Sequence, residues 1–522
     1  MTTPAAPGTP GGPATAVTTR TTTVNGLATD VRLPEGPGPF PTVLIRTPYD
    51  RRAHGAELRG WARRGFAAVA QDVRGRHGSP GEWRPYAHET PDGADTARWI
   101  RDRPWSDGRL VAVGSSYAAH CALTLALEAP GDARPDAVIA AVPALGVADT
   151  AREPTGIERL STRAGWWAAH GDRADSDDTA LAKALAADPG ALAHLPLLDL
   201  PRRLGRALPS WPEVWRRHDR GRLLAHAPRA TMPLLAVGGH HDHFAEETFA
   251  LWHRWGGPSA RLLAGPWGHG LVAAPGPDAA PSHRVRLGDL YARWASAALA
   301  GTLRPGRAGA VALGGSPLWT AADVEGHPHR PRLLPPSAPG SPSDPDRSVL
   351  PVRFTADPEH PASSAGLTVP AGGPRDRCVL VSPPLPRPLD LLGPARLRLC
   401  ARADTPSADW FARLVALGPD GRGERLAVGA VRRAEPPGRT TEFTVPLGRL
   451  ARRLTAGTRL RLEITGHHFP AHARNPHTGE DPVTATRLLA SRREIDPATT
   501  ALVLSALRTR PAPTDPAEEI LR

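Results

Sequence analysis

The first half of the chain alternates short apolar runs with stretches that carry apolar residues at helical spacing. The apolar runs are PTVLIR at 41–46, FAAVAQD at 66–72, LVAV at 110–113 and AVIAAVP at 137–143. Such runs are typical of buried strands, and residues 57–64, 89–101 and 117–129 between them have the period of helices. This alternation predicts a doubly wound, mostly parallel sheet, with ligands bound beyond the carboxyl ends of its strands.

The strand pattern is lost between residues 150 and 228. Arg, Ala, Leu and Trp dominate there at a helical spacing that prolines interrupt, which predicts an inserted helical cap. Strand periodicity returns with PLLAV at 233–237 and RLLA at 261–264, and helices are predicted over 245–255 and 287–299.

The pattern changes again after a Pro/Ser-rich linker at 331–346. Beyond it, eight short apolar runs separated by turn residues predict a β-sandwich or jelly roll. The predicted domains are a catalytic lobe in two parts (1–149, with a disordered tail at 1–17, and 229–345, with the linker), the helical cap (150–228) and the jelly roll (346–522).

The formal net charge of +12 raises the question of a nucleic-acid partner. The basic residues are almost all arginines, with Lys183 as the one lysine, and they are scattered over the whole chain. Because no basic stripe with interleaved aromatic residues occurs, we predict no nucleic-acid binding.

Cysteine use and hydropathy predict a cytoplasmic protein. Cys121, Cys378 and Cys400 are widely spaced and form neither a disulfide framework nor a zinc motif. Residues 110–127 carry no charged side chain and have the length of a membrane span. The polar groups of Gly114–Tyr117 and His120 in the centre of this stretch argue against a span, so no membrane contact is predicted.

The turn Gly114-Ser115-Ser116-Tyr117 lies between a predicted strand and a predicted helix. This is the context of a nucleophile elbow, which raises the serine Oγ above the sheet and directs the helix N-terminus at the reacting group. Backbone N–H groups there can stabilise an oxyanion. The short motif alone is equally compatible with a Gly-Ser turn that has no chemical role.

A nucleophilic serine needs a base, and the base needs a carboxylate to orient it. Asp242 and His269 each follow a predicted strand, where the loops of a parallel sheet converge. The chain order Ser116, Asp242, His269 is that of α/β-hydrolases. We therefore predict that His269 deprotonates Ser116, that Asp242 orients His269, and that water releases the acyl group.

The string His240-His241-Asp242-His243 has a second interpretation, as a metal site. A dinuclear hydrolase would need an upstream His-x-His pair, which the sequence lacks. We predict no metal and no cofactor.

Several further motifs join these residues into one pattern. They are RTPYD at 46–50, QDVRG at 71–75, GPWGH at 265–269, LGGSPLW at 313–319, FARLV at 411–415 and NPHTG at 475–479. Together with the Ser116 and Asp242 segments they resemble the cocaine esterase and X-prolyl dipeptidyl-peptidase family of α/β-hydrolase serine hydrolases, over about residues 24–508. The resemblance implies the triad Ser116, Asp242 and His269, and an oxyanion hole made by the Tyr117 backbone N–H and the Tyr49 hydroxyl.

The chain departs from the family pattern at three places. Ala119 stands where glycine is usual after the nucleophile, and His241 where an aromatic residue commonly precedes the catalytic Asp. Relatives that select a free α-amino group often carry acids directly after that Asp, whereas here Glu246 and Glu247 lie on the next predicted helix. This favours an esterase or acylase over an amine-selecting peptidase.

Phe244, Trp166 and Trp167 are candidates for the acyl pocket, with packing inside the cap as the alternative for the two tryptophans. The predicted function is a serine hydrolase that cleaves a small ester, an amide or a short peptide through an acyl-enzyme. The alternatives are an X-prolyl dipeptidyl-peptidase, a biosynthetic acyltransferase that uses an amine or alcohol acceptor, and a non-catalytic binding or scaffold protein. The sequence leaves the oligomeric state open and is compatible with a homodimer.

Overall fold

A computed structural model of the chain describes residues 19–216, 219–335, 350–369 and 375–522. The predicted tail at 1–17 and most of the predicted linker lie outside the described residues. A ten-stranded sheet, in the order β1-β2-β4-β3-β5-β6-β7-β8-β11-β12, forms the centre of the first 321 residues, and β9 and β10 form a separate hairpin. The strands are β1 (Thr19–Val24), β2 (Leu27–Arg32), β3 (Phe40–Thr47), β4 (Ala67–Asp72), β5 (Ser106–Ser115), β6 (Ala137–Ala141), β7 (Leu234–Gly239), β8 (Ser259–Gly265), β9 (Trp267–Gly268), β10 (Leu271–Pro275), β11 (Gly306–Ala312) and β12 (Trp319–Ala321).

The strands from β4 to β11 in this order are parallel, and the edges are antiparallel. Strands β4, β6, β7 and β8 are buried along their whole length, which explains why they are apolar without alternation. Strands β5, β7 and β8 end at Ser115, Gly239 and Gly265, so the loops that follow them meet at one edge of the sheet.

Helices cover the sheet and form the region between β6 and β7. They are α1 (Gly55–Ala62), α2 (Glu89–Arg101), α3 (Tyr117–Glu128), α4 (Val147–Ala151), α5 (Ser161–His170), α6 (Ala180–Ala187), α7 (Leu200–Arg203), α8 (Trp211–Arg216), α9 (Arg222–His226), α10 (Ala245–Arg254), α11 (Leu287–Leu299) and α12 (Pro516–Leu521). In the described part of residues 142–233 the regular elements are the short helices α4 to α9 and single 3-10 turns. No helix in the described ranges is long and apolar enough to cross a membrane.

Two antiparallel sheets make up most of the C-terminal region and share one apolar core. Their strands are β13 (His327–His329), β14 (Val352–Ala356), β15 (Arg377–Val381), β16 (Leu389–Ala403), β17 (Ala408–Leu417), β18 (Gly423–Arg433), β19 (Thr441–Leu454), β20 (Arg459–Thr465), β21 (Ser491–Ile495) and β22 (Ala501–Ala506). One sheet has the order β13-β22-β16-β21-β14, with β19 paired to β16, and the other has the order β15-β20-β17-β18.

Ion pairs and hydrogen bonds join the strand-rich region to the rest of the molecule. Arg432 on β18 contacts the buried carboxylate of Glu158 at 2.8 Å. His472 Nε2 lies 3.0 Å from Glu153 Oε1. The Arg449 backbone N–H donates to Glu246 Oε1 at 2.7 Å, so a residue of β19 is tied to the start of α10.

Candidate active site

Ser116 lies on a sharp turn between β5 and α3. Its backbone has φ 58° and ψ −118°, a conformation that L-residues rarely adopt. The Ser116 N–H donates to the Ala141 carbonyl at 2.9 Å, and the Ser116 carbonyl accepts from Ala144 at 3.2 Å, so the loop after β6 stabilises the turn. A Cβ at Gly114 would lie 2.1 Å from the Ala118 backbone, which explains why the residue two before the serine is glycine.

His269 joins Ser116 to Asp242. His269 Nε2 lies 3.0 Å from Ser116 Oγ, and His269 Nδ1 lies 2.8 Å from Asp242 Oδ1. The Asp242 carboxylate is fully buried, whereas the His269 ring is 38% exposed. These contacts fit the tautomer in which Nδ1–H donates to the carboxylate and Nε2 accepts the serine proton. The three side chains that the sequence predicts as a triad therefore meet, although they come from the ends of three strands.

His243 packs against this pair. Its ring stacks on His269 with centroids 4.6 Å apart, and its Nδ1 lies 3.3 Å from Asp242 Oδ1. Burial lowers the pKa of His243 to about 3, so the ring is neutral near pH 7. The sequence places His243 beside the carboxylate but gives no sign that it stacks on the base.

The histidine string does not converge on one point. The ring nitrogens of His240 are buried without a hydrogen-bond partner, and its ring packs on Phe249 at 5.7 Å. His241 Nε2 lies 2.6 Å from Asp278, on the side of the strand-rich region. Asp242, His243 and His269 do offer three ligand atoms within 4.8 Å of one another. Two of these three candidate ligand residues, His269 and Asp242, are already hydrogen-bonded to each other.

Tyr49 places a hydroxyl beside the serine. The hydroxyl is within hydrogen-bond reach of Ser116 and accepts a hydrogen bond from Trp166 Nε1 at 3.0 Å. Burial raises the pKa of Tyr49, so the phenol keeps its proton. Because Trp166 occupies a lone pair of the oxygen, the hydroxyl proton is free to point to Ser116 or to a bound ligand.

Tyr117 contributes its backbone and its side chain in different directions. It is the first residue of α3, so its N–H has no acceptor within the helix. The hydroxyl donates to Glu89 Oε1 at 2.8 Å and accepts from the Tyr86 backbone at 2.6 Å, away from the serine. Arg46 in turn donates to Glu89. This buried network fixes the start of the helix that carries the nucleophile.

A cavity of about 840 Å³ opens around Ser116 and His269. Phe244 and Trp166 line it, as the sequence predicts for an acyl pocket. Trp167 does not line it: the buried indole packs edge-on against Trp166, with ring centroids 5.3 Å apart. The position of Trp167 fits the packing alternative given for it in the sequence analysis, because adjacent residues of α5 present different faces.

Glu246 and Glu247 do not line this cavity. Glu246 accepts from Arg449, and Glu247 pairs with Arg220 at 2.9 Å and with Arg159 at 3.4 Å. Both acids of α10 are therefore engaged outside the cavity.

The sequence matches the X-Pro dipeptidyl-peptidase (S15) family over residues 25–271 and the C-terminal non-catalytic domain of X-Pro dipeptidyl-peptidases over residues 353–508. It is 26% identical to cocaine esterase of Rhodococcus sp. (strain MB1 Bresler), over 87% of this chain and 90% of that protein.

Two solved structures share the fold. An α-amino acid ester hydrolase superposes with a TM-score of 0.75 at 18% identity, covering 97% of this chain and all of that one. An aminopeptidase from the marine sediment archaeon Thaumarchaeota archaeon superposes with a TM-score of 0.72 at 19% identity, covering 96% and 98% of the two chains. The fold is thus that of α/β-hydrolases, followed by a C-terminal region mostly of strands.

Proposed function

The chain belongs to the cocaine esterase and X-prolyl dipeptidyl-peptidase family and is a serine hydrolase, and from this premise we propose that Ser116, His269 and Asp242 are its catalytic residues. The observation that carries the proposal is the position of His269, within hydrogen-bond distance of both Ser116 Oγ and Asp242 Oδ1. No other arrangement among the described residues of the cavity combines a nucleophile, a base and an orienting carboxylate in this way.

In the proposed reaction His269 Nε2 takes the proton of Ser116 Oγ as the oxygen attacks the substrate carbonyl. Asp242 stabilises the imidazolium that forms. The Tyr117 N–H and the Tyr49 hydroxyl donate to the oxyanion of the tetrahedral intermediate. His269 then protonates the leaving alcohol or amine, and a water deprotonated by the same ring hydrolyses the acyl-enzyme.

We propose that the substrate is an ester or a simple amide rather than an X-Pro peptide. The acids that follow Asp242 most closely in the chain, Glu246 and Glu247, are both engaged elsewhere, so they offer no site for a free N-terminal ammonium. The names of the relatives, a cocaine esterase and an α-amino acid ester hydrolase, agree with ester chemistry. The helices α4 to α9 are proposed as a cap over the cavity, and the two C-terminal sheets as a jelly roll.

Active-site labelling tests the proposal directly. A fluorophosphonate probe should label Ser116 stoichiometrically, and Ser116→Ala should lose labelling and at least about 10⁴-fold in kcat on an aryl ester. Ser115→Ala is the matched control, because Ser115 is the neighbouring hydroxyl and has no contact with His269. Labelling of Ser115, or unchanged turnover of Ser116→Ala, contradicts the proposed triad and favours a scaffold protein.

A substrate panel separates the remaining functions. Aryl esters, acyl amides and X-Pro anilides should be cleaved in that order of kcat/KM. Addition of an amine or alcohol acceptor should leave the free acid as the main product. Transfer to the acceptor as the main product would identify an acyltransferase, and a preference for X-Pro anilides would identify a dipeptidyl-peptidase.

A further inference from the structure

Arg163 is a buried arginine of α5 that lines the catalytic cavity without an acid beside it. Its side chain is buried, and Nη1 donates to Thr150 Oγ1 at 2.9 Å. Nε is buried without any hydrogen-bond acceptor. Among the described residues, no carboxylate oxygen lies within 4 Å of the Arg163 guanidinium. Arg163 therefore forms no ion pair with them.

Other buried arginines near the site have their charge or their donors matched. Arg159, four residues earlier, pairs with Glu153 at 2.8 Å and with Glu247 at 3.4 Å. Arg76 donates to the backbone carbonyls of Pro48 and Asp175. Arg163 differs from both, because its partners are the neutral hydroxyls of Thr150 and Tyr86 and its Nε has no acceptor.

The acids that line the cavity do not compensate this charge. The Glu57 carboxylate is hydrogen-bonded to His54 Nδ1 at 2.8 Å. The Asp178 side chain is 84% exposed, and its nearest basic partner is His170 at 3.6 Å. Burial lowers the pKa of Arg163, and the groups that partly oppose this are the phenols of Tyr86 and Tyr49 rather than a carboxylate. A buried cation without a counter-charge lowers the free energy of unfolding, and a bound anion would raise it again.

The indole of Trp166 lies between Arg163 and the Tyr49 hydroxyl beside Ser116. The guanidinium carbon lies 5.6 Å from the ring centroid of Trp166. Trp166 Nε1 donates to the hydroxyl of Tyr49, which reaches Ser116. Ser116, Trp166 and Arg163 thus line one cavity, so a ligand at Ser116 lies in the same space as the cation.

We propose that Arg163 is a specificity-determining residue that binds an anionic group, a carboxylate or its equivalent, on the substrate of Ser116. The inference rests on the proposed function, because it places that group in the same cavity as the proposed nucleophile. Arginine suits this role since its planar fork of donors matches a carboxylate. The enzyme then prefers acidic esters or amides, and an ammonium group near Arg163 is repelled.

Matched charged and neutral esters test the proposal, because they differ in one carboxylate. One set comprises the 4-nitrophenyl hemiesters of succinate, glutarate and adipate, against their methyl diesters, with nitrophenol release as the readout. A second set, 4-acetoxybenzoate against its methyl ester, carries the charge on the leaving group. We expect at least one charged member to exceed its neutral counterpart about tenfold or more in kcat/KM. No preference in either set overturns the proposal.

Substitution then assigns the preference to Arg163. In Arg163→Gln the charged-to-neutral ratio of kcat/KM should fall by about 10- to 100-fold, mainly through KM for the charged ester, and Arg163→Lys should restore part of it. Arg203→Gln is the matched control, since Arg203 is half-exposed on the cap and pairs with Asp188. An equal loss on both esters would show a structural role and overturn the proposal.

A binding measurement covers the case in which Arg163→Gln does not fold. Glutarate should inhibit neutral-ester hydrolysis by the wild-type protein at a concentration at least about tenfold below that required for butyrate; equal inhibition overturns the proposal. Calorimetry with glutarate on Ser116→Ala separates the two hypotheses. If the wild-type protein hydrolyses no ester but Ser116→Ala binds glutarate, the proposed function is refuted and the anion site stands.

Discussion

At the residue scale, His243 shapes the environment of His269, the proposed base. When His269 becomes an imidazolium, the ring stacked on it at 4.6 Å is already neutral and does not repel the new charge. His243 Nδ1 also lies 3.3 Å from Asp242 Oδ1, beside the hydrogen bond from His269. The buried carboxylate therefore contacts two imidazole rings, and the hydrogen bond from His269 orients it toward the base.

The Tyr49 hydroxyl can be tested by a single substitution. Tyr49→Phe removes the proposed oxyanion donor and leaves the ring in place, so kcat should fall by about 10²-fold with a smaller change in KM. Steady-state kinetics on an aryl ester measure this.

Tyr86→Phe is the comparison for that variant. Tyr86 also lines the cavity, but its hydroxyl is directed to Thr150 and Arg163. The loss in kcat should be clearly smaller in Tyr86→Phe than in Tyr49→Phe. Equal losses in the two variants would remove Tyr49 from the oxyanion hole.

The residues that the sequence can predict are those whose position follows from topology. Asp242 and His269 come directly after strands, and parallel strands end at one edge of a sheet. Arg163 has no such marker, because it lies on α5, whose direction depends on contacts made only in the folded chain. Its isolation from acids is a property of three-dimensional neighbours, which spacing along the chain does not reveal.

At the element scale, the turn between β5 and α3 is constrained by close backbone contact. Gly114→Ala should lower the free energy of unfolding by about 1–3 kcal/mol, because a Cβ there would lie 2.1 Å from the Ala118 backbone. Activity should fall further than stability, since the displaced backbone carries Ser116. Urea denaturation and ester hydrolysis measure the two effects.

Gly288→Ala provides the control for this substitution. Gly288 is exposed on α11 with nothing within 4 Å of its ideal Cβ, and alanine there should be neutral or slightly stabilising. A folded and fully active Gly114→Ala protein would show that the turn tolerates a side chain.

Elements with clear periodicity are the ones predicted well. The helices at 89–101 and 287–299 have the predicted bounds. Strand β21, sequence SRREI, was missed because its buried Arg493 packs on Trp410 at 4.8 Å and hides the apolar alternation. The sequence analysis does not predict strand β11, sequence GRAGAVA, because two glycines and an arginine interrupt its apolar residues.

At the scale of the whole molecule, burial keeps a set of histidines neutral. Their pKa values are lowered from 6.5, mainly by desolvation, to about 3 or about 4. They are His120, His170, His240, His243, His467, His468 and His477. They belong to the region of the ten-stranded sheet, to the helix α5 and to the strand-rich region alike.

This burial predicts loss of stability in mild acid. Unfolding returns the pKa values to about 6.5, so between pH 6.5 and 4 the unfolded chain binds protons that the folded chain does not. The free energy of unfolding should therefore fall as the pH falls through this window, by about 1 kcal/mol for each such histidine by pH 5.5. Urea midpoints measured from pH 7.5 to 5.5 should decrease.

Two histidine variants test whether the buried histidines cause the fall in stability with pH. His120→Gln should reduce the slope of stability against pH. His360→Gln should not, because the exposed His360 has a pKa that Asp357 raises. A constant urea midpoint over the whole range would refute the buried neutral histidines as its source.

The arrangement of the large regions is predictable in outline only. The alternating strands and helices and the late run of short strands indicate an α/β region followed by a strand-rich one. The contacts between them, such as Arg432 with Glu158, join residues 274 positions apart. A sequence full of scattered arginines offers many equivalent partners for each acid, so the pairing could not be predicted.

The hydrogen bond from the Arg449 backbone to Glu246 has an evolutionary consequence. Glu246 lies on the first turn of the helix that follows Asp242, so the strand-rich region contacts the segment that carries this proposed catalytic residue. Exchange of that region for the one of a distant relative would alter this loop even with every triad residue retained. The two halves of the gene should therefore diverge in step, and recombinants within the family should survive best when both halves share one parent.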